Sequence, residues 1–198
     1  MAAKGIFCIE GQWTSDLRDQ CSVEPALRLL KDSHSPSVPY IHRNTSTIQE
    51  LEANISRWLK LKSYPILYLA FHGTPEGILI EGMKARSEVV LFDWFEEILK
   101  GKCQGKVIYF GSCATLKTHG HRINRFVKQT RAAAVFGYRR DVPWVESTIF
   151  EVLLLSYLQR WTLKKSGLRA MERALRKMAG SMANELAFWM VHSVSAKK

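Results

Sequence analysis

The chain is poor in cysteine: Cys8, Cys21, Cys103 and Cys113 are the only four, and none falls in a CxxC spacing. That excludes a disulfide-dense scaffold and a zinc ribbon, and reduced thiols are the expectation. No apolar run approaches the roughly 18 residues needed to cross a bilayer, so no membrane association is expected. The amino terminus, Met1-Ala2-Ala3-Lys4-Gly5, leads straight into a short apolar segment and lacks the longer stretch and cleavage site of a secretory signal. A cytoplasmic location follows as an expectation. Internal repeats, low-complexity linkers, a Gly-rich phosphate loop and RNP-like sequence are all missing. Acidic residues are scarce in one half only: residues 100–198 hold 5 Asp/Glu against 19 Lys/Arg, whereas residues 1–99 hold 13 against 10. The second half therefore carries +14 and the first −3. Such asymmetry marks either a surface for nucleic acid or an acidic partner, or a solvated helical face.

What is present is globular. Hydrophobic residues make up 46% and charged residues 24%, and 198 residues suit one α/β domain, 1–198, with a sheet covered on both faces. Residues 6–9 form a short apolar run, followed by a loop through Trp13; Pro25 then opens a helical pattern with Leu27, Leu29 and Leu30. A strand is expected at 38–42. Thr45, Ser46 and Thr47 offer caps for a helix whose apolar stripe is Ile48, Leu51, Ile55, Trp58 and Leu59. The run 66–71 is apolar throughout, as in a strand buried on both faces of a parallel sheet. Segments 77–80 and 88–91 read as a small hairpin around Glu81-Gly82, and 92–99 as a helix. Strands at 107–110 and 132–136 flank a helix at 121–129. Two amphipathic stretches, 145–163 and 168–182, precede a segment at 186–192 that reads as a sixth strand or a helix end. Strand and helix alternate, which implies right-handed crossovers and a doubly wound sheet.

Two strand ends carry chemistry. Phe71-His72-Gly73 follows the run 66–70, and Gly111-Ser112-Cys113 follows 107–110. Adjacent parallel strands lie about 4.8 Å apart and ligands bind beyond their carboxyl ends, so an imidazole and a thiol there can face one crevice. A helix amino terminus near His119 to His121, together with the imidazole, would favour the Cys113 thiolate. Gly73 has no Cβ, so its N–H can approach a substrate carbonyl and join that of Cys113 as an oxyanion hole; Gly111 permits close approach on the other side. His119-Gly120-His121 lacks the further ligands and spacing of a zinc site, and no metal or cofactor is expected. Trp58, Trp94, Trp144, Trp161 and Trp189 fall within apolar patterns and read as core rather than base-stacking residues. His34 and His42 lie in or beside loop-like sequence and suggest no role.

Leu69-Ala70-Phe71-His72-Gly73 and Ile108-Tyr109-Phe110-Gly111-Ser112-Cys113 resemble the corresponding strand ends of the caspase–hemoglobinase (clostripain/separase) clan of cysteine peptidases. Within that clan the chain is most similar to bacterial caspase-like and CHAT-type domains, and Phe136-Gly137-Tyr138 through Trp144 resembles the segment after the fifth strand of small CHAT-like proteins. The resemblance implies a caspase-like three-layer α/β/α sandwich with a mostly parallel, about six-stranded sheet and a small hairpin after the third strand. It implies Cys113 as nucleophile, His72 as general base and acid, and the backbone N–H groups of Gly73 and Cys113 as oxyanion donors. The substrate would be a protein or peptide, and a role in bacterial stress or antiphage defence is in keeping with it. Members that cut after Lys or Arg often carry an acid two positions before the Cys, and this chain has Gly111; members that cut after Asp carry a glutamine there, also missing. Gly111, Ser112, Arg139, Arg140 and Asp141 are the candidates for lining the substrate pocket. Two other readings stay open: a caspase-fold module that binds a regulatory protein partner without proteolysis, and a nucleic-acid binder built on the basic half, for which no recognised motif speaks.

Overall fold

A computed structural model of the chain describes residues 2–16, 18, 20–80, 88–117 and 120–193. Five parallel strands, β1 (Ile6–Glu10), β2 (Tyr40–Asn44), β3 (Ile66–Ala70), β7 (Val107–Phe110) and β8 (Ala134–Tyr138), and one antiparallel edge strand, β9 (Phe188–His192), form a sheet in the order β2-β1-β3-β7-β8-β9. A second, small antiparallel sheet joins β4 (His72–Thr74), β5 (Gly77–Leu79) and β6 (Val89–Leu91). Residues of β1, β3, β7 and β8 are buried on both faces, which is why these segments read as unbroken apolar runs rather than alternating ones. On one face the core gathers residues of α1 (Glu24–Ser33), α5 (Trp144–Arg160) and α6 (Lys165–Glu185); on the other it gathers those of α2 (Ile48–Lys60), α3 (Phe92–Leu99) and α4 (Gly120–Thr130). The expected three-layer α/β/α architecture with a mostly parallel six-stranded sheet is what the chain adopts.

Several boundaries move for physical reasons. The second strand starts at Tyr40 rather than residue 38, because Pro39 has no N–H to give the ladder; its carbonyl instead accepts the Ile6 N–H at 3.0 Å. The strand expected at 132–136 runs 134–138 and carries Gly137 inside it, paired to Phe110 and Trp189. A Cβ there would come 2.9 Å from Leu116 and 3.0 Å from the Phe110 carbonyl, so glycine at this point is a packing requirement and not a strand terminator. Of the segment 186–192, residues 188–192 form a strand, while Leu186 caps the preceding helix. The last helix is longer than 168–182, and bends at Ala179, whose φ of −136° and ψ of 34° leave the helical region. His72 does not close the third strand: it opens β4 and pairs with Leu79, so the expected hairpin is a three-stranded sheet fused to the end of β3. The tip around Glu81-Gly82 lies outside the described residues.

Candidate active site

The register of the central ladder sets the two reactive side chains level. Leu69 of β3 is opposite Phe110 of β7, and His72 and Cys113 each lie three residues further on. Both line a cavity of about 230 Å³ beyond the carboxyl ends of these strands, together with Trp13, Trp144, Gly111 and Glu151. Each is half-buried.

His72 is held by a residue with no motif around it. Its Nε2 lies 2.7 Å from the Trp13 carbonyl oxygen, which can only accept, so Nε2 carries the hydrogen and Nδ1 of the neutral ring is left as the basic nitrogen. The Trp13 ring also meets His72 edge to face, with centroids 5.1 Å apart, and Trp144 in the same way at 4.6 Å. Trp13 is itself fixed from below. Its Nε1–H donates to Glu10 at 2.5 Å, and the same buried carboxylate accepts from His42 at 2.5 Å, the Ser22 hydroxyl at 2.6 Å and the Val23 N–H at 2.7 Å. Burial raises the Glu10 pKa, and these four donors more than offset it, leaving the carboxyl below its usual range. His42, which suggested no role in the sequence, thus helps anchor the loop after β1. Trp144 is likewise not a core residue: it is 39% exposed at the cavity wall, whereas Trp58 is fully buried and Trp94, Trp161 and Trp189 pack against the cores.

The Cys113 sulfur lies 3.5 Å from the Val142 N–H and 3.8 Å from the Val142 carbonyl oxygen. Burial pushes its thiol pKa up, the Val142 N–H opposes this, and the negative charges of Asp141 and Glu151 add to the rise. The expectation of a thiolate-favouring environment is therefore overturned: desolvation dominates, and the resting group is the thiol. The loop is tightly laced. Ala114 donates its N–H to Arg140 and Leu116 to Tyr138, and Ala114 takes a left-handed φ of 51° directly after the thiol. Gly73 packs onto this turn so closely that a Cβ would sit 2.1 Å from the Cys113 carbonyl oxygen and 2.4 Å from Thr115 Oγ1. Ser112 is buried beside it, and its hydroxyl has no hydrogen-bond partner among the described residues.

Of the other candidates, Gly111 lines the cavity, and a Cβ there would meet the Tyr68 ring at 2.4 Å. Ser112, Arg139, Arg140 and Asp141 do not line it. The Arg139 guanidinium lies over the Trp189 ring at 5.0 Å, Arg140 donates to the Glu185 carbonyl, and Arg140 and Asp141 border a separate depression with Glu146 and Glu185. Of this loop it is Val142 and Trp144 that line the cavity. Sequence reasoning also missed Glu151. It accepts hydrogen bonds from Tyr68 at 2.5 Å, Tyr109 at 2.9 Å and Tyr138 at 3.2 Å, one tyrosine from each of three strands. The available signal was a tyrosine in each of three apolar strands, since a buried phenol needs a partner. No group of three or more His, Cys, Asp or Glu among the described residues is arranged to hold a metal ion, and no described helix is long and apolar enough to cross a membrane. His119 lies outside the described residues. None of the four cysteines forms a disulfide.

The sequence pattern of a family of unknown function (DUF6642) matches residues 3–192. No curated protein matches by sequence. Solved structures do match in fold. A secreted C11 cysteine protease from Bacteroides thetaiotaomicron, determined with an irreversible peptide inhibitor, superposes with a TM-score of 0.56 at 9% identity over 96% of this chain; the chain spans 66% of that protein's length. The Drosophila initiator caspase Dronc gives 0.56 at 9% identity, covering 96% of this chain and 79% of that one. Caspase-1 from Spodoptera frugiperda gives 0.56 at 10% identity, covering 98% and 88%. The fold is caspase-like.

Proposed function

The chain belongs to that family of unknown function, so membership brings no activity with it, and we propose from the site itself that the protein is a cysteine endopeptidase acting through Cys113 and His72. The observation that carries the reading is the shared cavity: thiol and imidazole reach it from equal positions beyond two neighbouring parallel strands. A raised thiol pKa makes the base indispensable. His72 Nδ1 takes the Cys113 proton as sulfur attacks the scissile carbonyl carbon, while the Trp13 carbonyl steadies the imidazolium through Nε2–H. The oxyanion is received by the backbone N–H groups of Gly73 and Cys113. His72 then returns the proton to the departing amine, and water, deprotonated by the same nitrogen, hydrolyses the thioester. The caspase-like neighbours support the chemistry, and the resemblance to CHAT-type domains supports a cytoplasmic bacterial setting with a defence role.

The test is labelling with peptidyl acyloxymethyl ketones. Wild-type protein is expected to be modified on Cys113 alone, Cys113→Ala not at all, and His72→Ala at least about 100-fold more slowly. Equal turnover of peptides by wild type and Cys113→Ala sinks the peptidase reading.

A further inference from the structure

The cavity that holds Cys113 and His72 continues to Glu151 of α5, which is 5% exposed and lines the same space. Its Oε1 accepts from Tyr109 and Tyr138 and its Oε2 from Tyr68, which leaves acceptor capacity on Oε2 that no described hydrogen bond takes up. Gly111 and Tyr68 line the same space between the sulfur and Glu151, and a Cβ at Gly111 would come 2.4 Å from the Tyr68 ring. Among the described residues no Lys or Arg lines the cavity, so none of them supplies the carboxylate with a counter-cation there. Aromatic walls complete the surroundings, with Trp13 and Trp144 meeting at 4.6 Å.

A buried carboxylate without a cation is an unfinished ion pair. We infer that Glu151 is the specificity residue of this cavity and that the residue preceding the scissile bond is lysine or arginine, whose cation reaches Glu151 Oε2. The inference rests on the peptidase reading above. An acidic side chain would find no positive partner in the cavity and would face Glu151. A neutral one would leave the carboxyl as it stands. A cation gains an ion pair in a desolvated place and contact with electron-rich ring faces. The acid lies not two positions before the cysteine, where Gly111 stands, but 38 residues later on a helix behind the sheet.

The surroundings of Glu151 also set its pH behaviour. Tyr68 of β3, Tyr109 of β7 and Tyr138 of β8 donate to it, and Cys8 of β1 and Cys113 feel its charge. The pKa values of all five are raised, so each is neutral at pH 7, whereas burial moves the Glu151 carboxyl up to about 7 against the three hydroxyls that lower it. Preference for a basic residue should therefore strengthen as pH rises through this value.

The experiment compares kcat/KM on a fluorogenic peptide set differing only at that residue, for wild type and Glu151→Gln, with acyloxymethyl ketone labelling of Cys113 in parallel. Arginine and lysine are expected to exceed norleucine and glutamate by at least tenfold in wild type. Glu151→Gln should lower the arginine-to-norleucine ratio at least tenfold. In wild type that ratio should climb at least threefold from pH 6 to pH 8, and because both substrates share one dyad, titration of Cys113 and His72 cancels from it. Cys113 labelled with no basic preference, or a basic preference that survives unchanged in a folded Glu151→Gln, overturns the inference and leaves the peptidase intact; the first result is read in wild type and decides the matter even if Glu151→Gln does not fold. Absence of Cys113 labelling by every probe overturns both.

Discussion

Glu10 and Glu151 are both buried, yet their surroundings move them in opposite directions. Glu10 is held ionised by His42, Ser22, Trp13 and Val23, so in the folded protein it gives up its proton more readily than in the unfolded chain. Its contribution is present above the ordinary carboxyl pKa of about 4.3 and is lost as pH falls through the lower folded value. Glu151 does the reverse. Between about 4.3 and its folded value of about 7 the native state keeps a proton that the unfolded state has released, so stability falls as pH rises, by up to about 4 kcal/mol. Glu10→Gln should accordingly cost about 2 kcal/mol at pH 7, with the deficit shrinking below about pH 4. Glu151→Gln should gain on wild type as pH rises from 4 to 7. Urea midpoints of the three proteins at pH 3.5, 5.5 and 7 check both signs, and curves parallel to wild type would contradict the assignment. The legibility of the site divides at this scale. Cys113 and His72 stand out because each follows an apolar run. Trp13 and Glu151 do not, because Trp13 meets His72 from 59 residues away and Glu151 gathers Tyr68, Tyr109 and Tyr138 from 83, 42 and 13 residues away on three separate strands, and only the folded sheet brings them together.

Elements were readable where a local rule decided them. The helix over Ile48–Lys60 follows from its apolar spacing, and the cap ambiguity among Thr45, Ser46 and Thr47 is resolved by geometry: Thr47 has an extended backbone and its hydroxyl accepts the Glu50 N–H at 3.2 Å, while Glu50 reaches back to the Ser46 N–H at 2.9 Å. Thr45 is instead buried and accepts from Asn54 at 3.1 Å. Thr47→Ala should then cost about 1 kcal/mol of stability by chemical denaturation without changing the rate of Cys113 labelling, because the cap is remote from the cavity. A comparable loss from Ser46→Ala would mean the cap had been assigned to the wrong residue. The strand His72–Thr74 was not readable in this way. Three residues containing a glycine carry no periodicity, and their strand character comes wholly from pairing with Gly77–Leu79. The same holds for the shifted start of β2, which one prolyl nitrogen decides against the apolar pattern.

At the scale of the molecule, the two cores are separated by the sheet but built from the same strands. Tyr68 and Tyr109 face the α1, α5 and α6 layer, while Leu67, Leu69, Ile108 and Phe110 face the α2, α3 and α4 layer, so neither layer keeps a partner if the sheet dissolves. Phe150 packs against Phe188 of the edge strand at 4.9 Å on the first side; Phe95 packs against Phe110 of the central strand at 5.6 Å on the second. Both side chains are fully buried, and truncating either to alanine should cost about 3–5 kcal/mol through lost burial and the cavity left behind. Because both faces draw on β3 and β7, each substitution should lower the midpoint of one common transition, seen alike by tryptophan fluorescence and far-ultraviolet circular dichroism. Two separated transitions in Phe150→Ala, with the second retaining the α2, α3 and α4 signal, would show that the layers fold apart and that residues 1–198 are not one cooperative unit. A single displaced transition in both variants ties the cavity to the whole: Glu151 hangs from the first layer and His72 from the small sheet against the second, so the alignment of carboxylate, imidazole and thiol persists only while both layers hold the strands in register.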